Sequence, residues 1–139
     1  MIYNFFIKNP LPKNIPDEME EIIETLKKTT NQQECLKKAY EIITEKYYGG
    51  RIETYSHVFE LLKFDISRIW GKTGFLHCTH QNQVLRILLI GSEKFEDDDI
   101  EFHWTSIWIL SPHQYVTVRL ENNKQIIVDC WGKTYGIKY

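Results

Sequence analysis

The sequence predicts an α+β fold, with N-terminal helices and a later helix packed on an antiparallel β-sheet. Three observations carry this. Apolar residues recur every three to four positions up to about Ile90. After the acidic run Glu96 to Asp99 they alternate with polar ones. The last two alternating segments flank Asn122 and Asn123, a turn-forming pair. Helices first and strands afterwards is the order of an α+β chain, whereas parallel α/β folds alternate the two. At 139 residues, a single domain over residues 1–139 is expected.

Pro10, Pro12 and Pro16 make the first sixteen residues an extended strap. Asp17, Glu18, Glu20 and Glu21 then open a helix that Lys27 and Lys28 close, acid first and base last as the helix dipole favours. Its inward stripe is Met19, Ile22, Ile23 and Leu26. A second helix carries Leu36, Ala39, Tyr40, Ile43 and Tyr47, with Thr30 and Gln33 as a capping box and Gly49-Gly50 as its stop. A third helical segment holds Val58, Phe59, Leu62, Ile66, Ile69 and Trp70 and ends at Gly71. Residues 79–90 form the most regular helix, with Val84, Leu85, Leu88 and Leu89 inward and Gly91 as a left-handed stop. Strands are expected over residues 100–110, 114–120 and 125–131.

Composition narrows the function classes. The chain is 42% hydrophobic and 14% aromatic, enough to build a core. Lys and Arg number 17 against 19 Asp and Glu, a net charge of −2, and no long basic run is present, so no nucleic-acid partner is expected. The longest aliphatic run, Ile87 to Ile90, is far short of the roughly 18 residues of a membrane span. The N-terminus lacks a basic export-signal segment. Cys35, Cys78 and Cys130 are odd in number and irregularly spaced, which encodes neither a disulfide framework nor a zinc knuckle. A cytoplasmic chain with no membrane association and no cofactor is the expectation.

Cys78 stands where the regular helix begins, facing unpaired N–H groups and the positive end of the helix dipole, a setting that favours thiolate chemistry. His113 opens the first hairpin strand and Asp129 lies near the end of the second. Cys, His and Asp together form an acyl-transfer triad. Strand pairing bears on this independently. Setting Leu120 opposite Ile126, Val118 opposite Val128 and Val116 opposite Cys130 matches apolar with apolar, and it places His113 and Asp129 on one face. A tidy two-residue Asn-Asn turn closed by Glu121 and Lys124 would send Asp129 to the other face. The apolar matching therefore predicts a loop of three or five residues, or a bulge.

The order of these elements resembles the transglutaminase-like superfamily, over about residues 70–131. The matching stretches are Gly74-Phe75-Leu76-His77-Cys78, Leu85-Arg86-Ile87-Leu88-Leu89-Ile90-Gly91, His113-Gln114-Tyr115-Val116-Thr117-Val118 and Ile127-Val128-Asp129. The resemblance implies a papain-like core in which the helix bearing the nucleophile packs on the sheet. It implies Cys78 as nucleophile, His113 as base and then acid, and Asp129 as the residue that orients the imidazole. The substrate implied is a peptide or protein amide. His77 and Thr79 flank the cysteine where eukaryotic cross-linking enzymes usually show Gln and Trp, and no DxDxDG calcium loop is present. A small hydrolase or peptidase is thereby favoured over a calcium-dependent cross-linker.

An oxyanion hole would pair the Cys78 N–H with a second donor, for which Trp70 is the candidate, against a reading as a core aromatic. Asn82, one turn past Cys78, is a candidate cleft residue, with Gln81 and Gln83 beside it. Three alternatives stand beside the hydrolase. One is a protein-glutamine transamidase. Another is a catalytically silent module using Trp104, Trp108, Trp131 and Tyr135 as a recognition surface. The third is a metal site drawn from His77, Cys78, His80, His113 and Cys130, whose spacing matches no zinc signature, so no metal is expected. His57 and His103 are read as incidental, and Cys35 and Cys130 as buried, inert thiols.

Overall fold

A computed structural model of the chain describes residues 8–50, 55–57, 59–60, 63–107 and 111–132. Its elements are α1 (Asp17–Lys27), α2 (Gln32–Lys46), β1 (Tyr47–Tyr48), α3 (Ile66–Trp70), β2 (Gly74–Phe75), α4 (Cys78–Gly91), β3 (Ile100–Ile107), β4 (Ser111–Arg119) and β5 (Gln125–Val128). The architecture is α+β. β3, β4 and β5 form an antiparallel sheet in that order, and β1 pairs in parallel with β2 as a separate two-stranded ribbon.

α1 buries Met19, Ile23 and Leu26, as its stripe predicts. The cap of α2 falls one residue later than Thr30. Asn31 Oδ1 accepts the Glu34 N–H at 2.8 Å, and Glu34 reaches back to accept the Thr30 N–H at 2.8 Å. Glu34 displaces Gln33 because a carboxylate is the stronger acceptor at a helix start. The helix also ends before the glycines: Tyr47 is extended, buried against the core, and sends its hydroxyl to the Ile69 carbonyl at 2.7 Å. Of the third helical segment, residues 55–56 are helical, residues 59–60 form a 3-10 turn, and α3 is capped by Asp65 Oδ1 on the Ser67 and Arg68 N–H groups. Phe59, expected inward, is 83% exposed, while Val58 and Leu62 lie outside the described residues. Gly91 is no left-handed stop. It ends α4 in helical geometry, and a Cβ there would come 2.8 Å from Ile23 Cδ1, so its smallness lets α1 approach.

α4 runs through the interior. Every residue from Thr79 to Leu89 is buried, the polar Thr79, His80, Gln81, Asn82, Gln83 and Arg86 included. A helix enclosed on all sides must satisfy its polar side chains internally. Arg86 does so through Asp97, with Nε to Oδ1 at 2.8 Å and Nη2 to Oδ2 at 3.3 Å, and through the Asn9 carbonyl at 2.6 Å. The acidic run is thus more than a solvated loop: its first aspartate anchors the central helix, and the Arg86 hydrogen bond holds that carboxyl below the usual carboxylate range. Asp97→Ala is expected to destabilise the chain by about 2 kcal/mol, at the low end for a lost guanidinium partner because Asp97 is half exposed and water can replace it. Urea denaturation against wild type measures this.

The sheet sets the face of each candidate residue. Gln114, Val116, Val118 and Leu120 of the β4 segment are buried. The observed pairs are Val116–Val128, Thr117–Ile127, Val118–Ile126 and Arg119–Gln125. Val116 therefore faces Val128 and not Cys130, two residues from the expected register. The cause is the turn: Asn123 adopts φ +62°, and Leu120 donates its N–H to the Lys124 carbonyl at 2.8 Å, enclosing a three-residue loop. Asparagine tolerates the left-handed conformation this loop needs. A shift of two preserves the face of every side chain. None of the three expected pairs forms, but two apolar pairs, Val116 with Val128 and Val118 with Ile126, take their place, and Leu120 meets Lys124.

Candidate functional site

Cys78 is the first residue of α4, following His77 in the N-cap position. The first N–H groups of a helix have no intrahelical acceptor, so the thiol stands beside backbone donors. Cys78 is partly exposed, whereas Cys35 and Cys130 are buried. His113 comes from β4, and Asp129 lies one residue beyond the end of β5. Nε2 of His113 donates to Asp129 Oδ2 at 2.6 Å. The Cys78 side chain is also close enough to the imidazole to raise its pKa, and with Nε2 on the carboxylate, Nδ1 is the ring nitrogen left to meet the thiol.

His113 is 3% exposed and Asp129 5%. Burial alone would push the imidazole pKa down. The hydrogen bonds with Asp129 and Cys78 and the charge of Asp129 outweigh it and raise the pKa to about 9. The ring therefore carries a proton at neutral pH, with a donor aimed at the sulfur.

The residues that hold Asp129 were not singled out as site residues in the sequence. Its other oxygen, Oδ1, accepts the Gly132 N–H at 2.7 Å. A Cβ on Gly132 would stand 2.6 Å from Asp129 Oδ2, so only glycine leaves room for the carboxylate. Trp131 lays its ring against the imidazole, centroids 4.8 Å apart. A Cβ on Gly49 would lie 2.5 Å from the Trp131 ring, so this glycine seats the indole. An Asp followed three residues later by Gly is the signal that could have revealed the turn. Trp131 is buried and covers His113, which removes it from any exposed recognition surface. Trp104 is partly exposed, and Trp108 and Tyr135 lie outside the described residues.

No family model matches the chain, and no curated protein or solved structure is detectably similar to it.

Trp70 sits in the core with the Lys46 ammonium 4.7 Å from its ring, and its Nε1 has no hydrogen-bond partner among the described residues. Asn82 is buried and does not line an open cleft: its Nδ2 donates to the backbone and side-chain oxygens of Gln114. Gln81 is also buried, bonded through Nε2 to the Leu76 carbonyl at 2.9 Å. His77 donates from Nε2 to the His57 carbonyl at 2.9 Å, and burial holds its pKa below the usual value, so the ring is neutral. His103 bonds Thr117 Oγ1 at 2.8 Å and stacks on Tyr115, both on the outer sheet face. Among the described residues, no three His, Cys, Asp or Glu side chains converge as a metal-binding group. Among them, too, no helix is long and apolar enough to cross a membrane.

Proposed function

We infer that this protein is a cysteine-dependent acyl transferase that cleaves a peptide or protein amide through a thioester, on a transglutaminase-like core. The observation that carries the reading is the continuous chain from Cys78 through His113 to Asp129, buried at the base and open at the thiol. Its order and spacing follow the resemblance in residues 70–131.

In its thiolate form, beside the protonated His113, the Cys78 sulfur attacks the amide carbonyl carbon. The resulting oxyanion is met by the Cys78 N–H at the start of α4, with the unspent Trp70 Nε1 as candidate second donor. His113 passes its proton to the leaving nitrogen as the C–N bond breaks, which leaves a thioester. Water then attacks that thioester with His113 as base, releasing the acid and restoring the thiol. Asp129 holds the ring by Nε2 throughout. A transamidase shares every step up to the thioester and differs in the second acceptor, so hydrolysis is the simplest outcome for a small chain.

Labelling with a peptidyl electrophile that alkylates activated thiols tests the reading. At pH 7, Cys78 is expected to react at least about tenfold faster than Cys35 or Cys130, as an activated and accessible thiol does. Peptide mass spectrometry locates the adduct. Faster modification of Cys35 or Cys130 in the folded chain contradicts the assignment.

A further inference from the structure

Asn82 lies one turn beyond Cys78, so both side chains leave α4 on the same face. Asn82 is 1% exposed, and its Nδ2 donates to the Gln114 carbonyl at 3.1 Å and to Gln114 Oε1 at 3.0 Å. Gln114 is equally buried and directly follows His113. One helical turn separates Asn82 from the nucleophile, and one peptide separates Gln114 from the base. The amide bonds and the neighbouring Cys78 and His113 side chains therefore close a short loop between α4 and β4.

What this loop adds is direction. The apolar residues shared by the two elements, among them Leu85, Leu88, Val116 and Val118, belong to one core. Apolar contact is non-directional, so a small slide of helix against strand changes it little. Hydrogen bonds near 3 Å weaken steeply with misalignment, and a buried amide that loses them is left with its desolvation uncompensated. The pair thus resists the sliding motion that would separate sulfur from imidazole.

We propose that Asn82 is a positioning residue: acting through Gln114, it fixes the separation of the Cys78 sulfur and the His113 ring. This rests on the thiol–imidazole reading above. The polar sequence Gln81-Asn82-Gln83 beside the nucleophile is then required by placement of the base, not by contact with substrate.

The test is the rate of Cys78 alkylation by iodoacetamide from pH 5 to 10, followed by intact mass, in wild type, Asn82→Ala, Gln114→Met, the double variant and His113→Ala. Asn82→Ala is expected to slow labelling at pH 7 by about tenfold, within the range that small misplacements of reacting groups cause. Its pH profile should shift towards that of His113→Ala. Gln114→Met keeps the backbone acceptor and should lose about threefold, with the double variant no slower than Asn82→Ala, since the two residues form one interaction. If Asn82→Ala fails to fold, Gln114→Met alone carries the test, its near-UV circular dichroism checked first. A purely structural role lowers the melting temperature and leaves rate and pH profile unchanged. That result, or additive losses in the double variant, overturns the positioning role. Slow labelling of Cys78 in wild type, unaffected by His113→Ala, overturns the acyl-transfer reading itself.

Discussion

His113→Ala is expected to lower Cys78-dependent acyl transfer by about three orders of magnitude at pH 7, since it removes both the acceptor of the thiol proton and the donor to the leaving nitrogen. The same substitution should weaken the fold. Asp129 is 5% exposed and would keep only the Gly132 N–H, leaving a buried carboxylate without its counter-charge. The pH dependence has a definite sign. The folded imidazole titrates at about 9, above its ordinary value of 6.5. The native state therefore holds more protons than the unfolded state between these values, and stability falls as pH rises through them. This contribution is complete below about 6.5 and lost above about 9. Urea unfolding at a series of pH values should show the decline in wild type and its absence in His113→Ala.

Asp129→Ala has the second largest expected effect. Without the carboxylate, burial is the main remaining influence on the imidazole and drives its pKa down, so the ring loses its proton near neutrality. Nε2 also loses the partner that sets the ring's orientation. Acyl transfer should fall by about two to three orders of magnitude, as when the orienting carboxylate of a triad is removed. Asp129→Asn should be milder. Its amide can still accept one of the two hydrogen bonds that the carboxylate takes from His113 and Gly132. Nuclear magnetic resonance titration of His113 in the two variants, beside their rates, measures both consequences.

The shared face of His113 and Asp129 was legible in the sequence because apolar pairing across β4 and β5 depends only on alternation, which a short chain displays openly. The exact register was not. Three apolar matches pointed to Val116 opposite Cys130, but the readiness of Asn123 to adopt φ +62° closed the hairpin in a register two residues away. A tidy Asn-Asn turn would have parted the two side chains. The three-residue loop that forms instead keeps His113 and Asp129 together.

Burial of the polar part of α4 was hidden for a different reason. Gln81, Asn82 and Gln83 read as cleft-lining residues, and only the surrounding chain shows that the helix is enclosed from Thr79 to Leu89. Arg86 finds Asp97 from a loop eleven residues away, and Asn82 finds Gln114 from a strand thirty-two residues away. Such pairings leave no periodic trace. Trp131 and Gly132 stand two and three residues after Asp129, and their service to it depends on the turn they make, not on their types alone. The stop expected at Gly91 failed similarly: its small size answered to Ile23 across the helix interface and not to backbone conformation.

Activation of the Cys78 sulfur by His113 is read from the full pH–rate profile of Cys78 alkylation in wild type and His113→Ala. Wild type is expected to show substantial reactivity already near pH 6 and a further change near pH 9 as His113 loses its proton, with neither feature in His113→Ala. Superimposable profiles, each rising once in the ordinary thiol range of about 8.5, would contradict it.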